Sequence, residues 1–148
     1  MCPIATTLAN PPRPRTDFSL VFPPEPGWVR TVRQAVRTAL ADVHRDELIE
    51  MAALLTSEVV TNAVNASRIS GCSTPIGVHA EWATGGVRVQ VHDGAPGLPE
   101  LAPPRRPEPG QEPERGHGML LVSACASDWG VCRHGPGIGK AVWFLLAC

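Results

Sequence analysis

At 148 residues, with 43% hydrophobic and 18% charged side chains, the chain has room for one domain with a real core and little room for two. A formal net charge of -1 supplies no basic stripe, which argues against a nucleic-acid partner. No apolar run reaches the roughly 18 residues a membrane span needs, and Met1-Cys2-Pro3-Ile4-Ala5 lacks the basic and apolar regions of a signal peptide.

Five cysteines (Cys2, Cys72, Cys125, Cys132, Cys148) include no C-x-x-C pair. They read as small buried hydrophobes in a reducing, cytoplasmic setting.

Residues 1–16 hold Asn10-Pro11-Pro12-Arg13-Pro14-Arg15, a tail with too much proline for helix or ladder. The domain proper is expected over 17–148. Phe18-Ser19-Leu20-Val21-Phe22 predicts a short strand, stopped by Pro23-Pro24. From Pro26 a helix is predicted. Val29, Val32, Val36, Ala39, Leu40 and Val43 follow its apolar spacing, with Arg30, Arg33 and Arg37 on the other face. That arginine face reads as solvated, with a docking surface for an acidic partner as the other reading. Asp46 is the expected N-cap of a second helix reaching about Ser67, with Glu47 and Glu50 in its first turn. Two alternating stretches, 76–82 and 87–92, flank Thr84-Gly85-Gly86 and predict a hairpin. His79 and His92 read as ordinary outward-facing residues, without metal-ligand companions.

Asp93-Gly94-Ala95-Pro96-Gly97 follows the second of these strands. Residues 99–115 then carry almost no apolar side chains, as expected of a mobile loop that closes over a ligand or of a plain surface connection. Gly116-His117-Gly118 opens a third helix. Val131-Cys132-Arg133 and 141–146 form a last strand pair. The order predicts an α+β two-layer sandwich: a mixed, mostly antiparallel sheet with helices on one face.

Within the second helix, Glu58, Asn62 and Asn65 stand at i, i+4 and i+7 and therefore share a face. Alone, the pattern fits a solvated face as well as a site. Glycines let backbone N–H groups approach anionic oxygens, so the glycine loops invite a phosphate-binding reading. A P-loop fails: His134 stands where its first glycine belongs, Ala141 where its Ser or Thr belongs, and a strand follows. Gly116-His117-Gly118 lacks the third glycine and preceding strand of a dinucleotide fingerprint. A G-x-S-x-G elbow and clustered metal ligands are also missing from the sequence.

What remains is the order of the pieces. Ser57-Glu58-Val59-Val60-Thr61-Asn62-Ala63-Val64, then Val91-His92-Asp93 to Pro99, then Gly116 to Val122, then Gly139 to Phe144 resemble four boxes. These are the N, G1, G2 and G3 boxes of the ATPase superfamily that unites gyrase, Hsp90, histidine kinases and MutL (the Bergerat-type fold). Within it the chain is most similar to the bacterial anti-sigma factor serine kinases, over roughly residues 18–146.

The resemblance implies ATP and Mg2+ as cofactors. It makes Asn62 the metal ligand, its amide oxygen suiting a hard cation. Glu58 becomes the general base toward a serine hydroxyl, or else an acid that orients water. Asp93 becomes the adenine reader, accepting from the exocyclic amine. Gly97, Arg115, Gly116, Gly118 and Lys140 complete the implied nucleotide site, under a lid at 99–115. Asn65 or Thr61 stands near phosphate or solvent. Ala95, His117 and Ala66 depart from the family's usual residues.

The implied partners are a sigma factor and a small STAS-type antagonist protein, with a homodimer expected. The rival readings are a catalytically silent ATP-binding module and, ranked last, the catalytic half of a histidine kinase. The last needs a dimerisation helix pair that the residues before 18 do not supply.

Overall fold

The computed structural model describes residues 16–83, 85–96, 118–133 and 139–147. Its elements are β1 (Thr16–Phe22), α1 (Trp28–Ala39), a 3-10 turn (Ala41–Val43), α2 (Asp46–Ser70), β2 (Ile76–Ala83), β3 (Gly86–Asp93), α3 (Gly118–Cys125), β4 (Asp128–Arg133) and β5 (Lys140–Ala147). The strands form one sheet in the order β1-β2-β3-β5-β4. All four described pairings are antiparallel, in keeping with the mostly antiparallel sheet expected.

Register explains the core. Leu20, Val78, Val91, Val142 and Val131 lie in one cross-strand row, and Phe18, Ala80, Val89, Phe144 and Trp129 in the next. With a side-chain period of two, both rows face the same way, toward the helices. The alternate residues, among them His79, Gln90, His92 and Trp143, share the opposite face. His79 accordingly sits outward, its ring 2.7 Å from Ser19 Oγ.

On the apolar face α2 lies chiefly over β3, with α1 toward β1 and α3 toward β4. Contact on so many sides explains why twelve of the 25 residues of α2 are buried, from Leu48 to Ser67. Phe22 stacks on Trp28 with ring centroids 5.6 Å apart, joining β1 to the start of α1.

Several boundaries differ from expectation. The first strand starts two residues early, and Pro26-Gly27 form a turn before α1 begins at Trp28. Asp46 is the first residue of α2 rather than its cap; Arg45 precedes it without a side-chain cap. That helix continues to Ser70 and ends on Gly71 in the left-handed region (φ 69°). The strand expected from Val131 begins earlier, with Asp128-Trp129-Gly130 already part of β4. The N-terminal tail and the 99–115 lid lie outside the described residues.

One expectation about side chains is refined and one is corrected. The arginine face is solvent-exposed at Arg30 and partly so at Arg37, but Arg33 and Arg37 also make contacts that periodicity does not show. Arg33 donates to Ser57 Oγ at 3.1 Å, and Arg37 grips Glu50 through two hydrogen bonds of 2.9 and 3.0 Å, so both tie α1 to α2. The cysteines are not uniformly buried and unpaired. Cys72 and Cys125 are free and half-buried, while Cys132 is disulfide-bonded.

Candidate nucleotide-binding site

The row beyond Val91 and Val142 on the helix-facing side of the sheet is polar. Asp93 ends β3 and Lys140 begins β5, and the two are direct cross-strand partners. Their side chains are 1% and 2% exposed, and Lys140 Nζ donates to Asp93 Oδ1 at 3.0 Å. The same oxygen accepts from the N–H of Ala95 at 2.9 Å, closing a tight turn just past the strand. Asp93 Oδ2 is buried and has no hydrogen-bond partner. A buried carboxylate oxygen without a donor is costly, because its lost hydration is not replaced. One acceptor of the pair is thus left without a donor among the described residues.

Two glycines fix this corner. A Cβ on Gly94 would lie 2.7 Å from Thr74 Cβ and 3.0 Å from Cys72 Sγ, so the segment entering β2 packs directly under the turn. Gly139 has φ 99°, and a Cβ there would collide with the Asp93 carbonyl oxygen. The entry to β5 is thus locked against the exit of β3.

On α2, hydroxyl groups turn back on their own helix. Thr56 donates to the Ala52 carbonyl, Ser57 to that of Leu54 and Thr61 to that of Ser57, each at 2.7 Å. Glu58, Asn62 and Asn65 instead stay half-buried and make no side-chain hydrogen bond to another described residue. Three groups with free donors and acceptors along one helix face are chemically available. Gly118 is the first residue of α3. Gly97, Arg115, Gly116 and His117 lie outside the described residues.

A groove of about 510 Å³ lies elsewhere. It runs between α1 and α2, lined by Arg33, Arg37, Glu47, Glu50, Met51 and Leu54. The Asp93 corner differs from this groove in holding a buried carboxylate oxygen that calls for an explanation.

Sequence reasoning placed Asp93 and Lys140 in one site but missed their mutual ion pair and the role of Ala95. The available signal was a lysine at the head of the otherwise apolar strand Ala141-Val142-Trp143-Phe144-Leu145-Leu146. A charge entering a buried strand needs a partner. The Arg33–Ser57 contact left no such trace.

The chain is thus an α+β sandwich with a buried, half-satisfied aspartate at the end of its central strand. The chain belongs to the histidine kinase-like ATPase domain family, whose model matches residues 22–145. No curated protein matches it. Domains of this family bind ATP, usually with Mg2+. Among the described residues no helix is long and apolar enough to cross a membrane.

Proposed function

We propose that the chain is an anti-sigma factor type serine protein kinase. It would sequester a sigma factor and transfer the γ-phosphoryl group of ATP to a serine of a small antagonist protein. The observation that carries the nucleotide part is the unpartnered Asp93 Oδ2, which matches the exocyclic amine of adenine, a donor guanine lacks at that position. The kinase part rests on Glu58, one helical turn before Asn62 on the same face.

The donor set fits Mg2+. No group of three or more His, Cys, Asp or Glu is assembled among the described residues, so a protein-only cage is not what they offer. Asn62 supplies one neutral amide oxygen, and such sites take their remaining ligands from phosphate and water. When bound, the ion would neutralise charge on the triphosphate. Glu58 would accept the proton of the attacking serine, a role worth about 10²–10⁴-fold in rate. Gly97, Arg115, Gly116 and Gly118 would contact the phosphates, Gly118 through the free N–H groups at the start of α3.

One observation favours the second reading, a silent ATP-binding module. No described side chain hydrogen-bonds Glu58 to hold it in a base's position. Incubation with γ-labelled ATP and candidate antagonists tests the choice. Phosphoserine on the antagonist, lost in Glu58→Ala, supports the kinase; Mg-ATP binding without transfer leaves the module.

A further inference from the structure

We propose that Lys140 is a second base-reading residue, donating to the ring nitrogen N1 of adenine while Asp93 Oδ2 accepts from the neighbouring 6-amino group. This rests on the nucleotide-binding reading and adds a contact that reading does not require. An ammonium has three donors. Lys140 spends one on Asp93 Oδ1 and makes no other hydrogen bond to a described residue, although its side chain is only 2% exposed. Asp93 Oδ1 is already occupied twice, by Lys140 and by the Ala95 N–H. Oδ2 has nothing. The corner therefore presents a spare donor beside a spare acceptor, both shielded from water, where leaving them unmade is most costly.

A ligand that completes this corner must present a donor next to an acceptor. The Watson–Crick edge of adenine does so, with the 6-amino N–H beside N1, and bases read outside a helix are recognised through that edge. Guanine and hypoxanthine carry the reverse order, O6 beside N1–H. In the same pose they would set an oxygen against the carboxylate and an N–H against the ammonium. With Lys140 in place, two contacts reject the wrong purine instead of one. A buried site built to hydrogen-bond its ligand discriminates steeply against an analogue lacking that group.

The test compares ADP with 1-deaza-ADP, in which N1 is replaced by C–H, by calorimetric titration of the intact wild-type chain. One lost charge-assisted hydrogen bond predicts weaker binding of the analogue by roughly 10–100-fold. Lys140→Met, shown folded by circular dichroism, is expected to bind both ligands with nearly equal Kd. Equal affinities in the wild type overturn the proposal without any variant. A difference that persists in Lys140→Met also overturns it, leaving Lys140 as a prop for Asp93. If the wild type binds neither ligand, the nucleotide reading itself falls, an outcome distinct from equal binding.

Discussion

Asp93 and Lys140 form a buried pair in which each compensates the other, and removing one partner exposes the cost of the other. Asp93→Ala strands the Lys140 ammonium at 2% exposure. Breaking a buried pair in this way typically costs about 3–5 kcal/mol. Urea denaturation of the variant is expected to show a lower midpoint, by that free energy divided by the slope, with the slope unchanged; a variant as stable as wild type would mean that water reaches the pair. The sequence pointed to both residues, but their contact spans 47 positions and depends on the antiparallel register of β3 and β5. Local sequence cannot specify such a register, because it comes from the pairing of whole strands. The contacts of Arg33 and Arg37 were not legible for a related reason. Helical periodicity shows which residues avoid the apolar stripe, and it does not show that a second helix with Ser57 and Glu50 lies alongside.

The elements carry two further predictions. At the start of β5, Gly139→Ala forces a side chain into a left-handed backbone position against the Asp93 carbonyl. Strain of this kind costs about 1–3 kcal/mol. Because the displaced atoms belong to the aspartate's own strand end, nucleotide affinity is expected to fall along with the melting temperature. Loss of stability with unchanged affinity would show that the corner relaxes elsewhere.

Between α1 and α2, the Arg37 hydrogen bonds hold the Glu50 carboxyl below the ordinary glutamate range, opposed in part by desolvation and aided by the charges of Arg37 and Arg33. A carboxyl whose pKa is lower when folded adds stability above its unfolded pKa, about 4.3, and loses it as pH falls through the folded value. Glu50→Gln is therefore expected to lower the melting temperature slightly at pH 7 and not at all in strong acid. The effect is small because both side chains are largely exposed. An equal deficit at both pH values would contradict the linkage. Existence and order of the elements were legible because apolar periodicity is strong in each. Their ends were less so: α2 outran its expected stop by three residues, since only Gly71, not Ser67, offers a left-handed terminus.

For the whole molecule, the sandwich places a long amide-bearing helix over the central strand that ends in Asp93. The α+β class followed from strand and helix order alone. The uniformly antiparallel sheet did not, because two non-adjacent strands, β3 and β5, pair across the intervening helix and β4. If the domain is a kinase, Asn62→Ala and Glu58→Ala both abolish phosphoryl transfer, and Glu58→Ala keeps nucleotide binding. If it is a module, Glu58→Ala leaves partner capture intact and there is no transfer to lose. Labelled-phosphate assays alongside pull-down of the antagonist separate the two.

The central claim, that the Asp93 corner reads adenine, is met most directly by titrating the wild type and Asp93→Asn with Mg-ATP and Mg-GTP. The account predicts that wild type binds ATP at least about ten-fold tighter than GTP, the worth of one buried hydrogen bond. It further predicts that Asp93→Asn loses most of that preference. Equal wild-type affinity for the two nucleotides would contradict it.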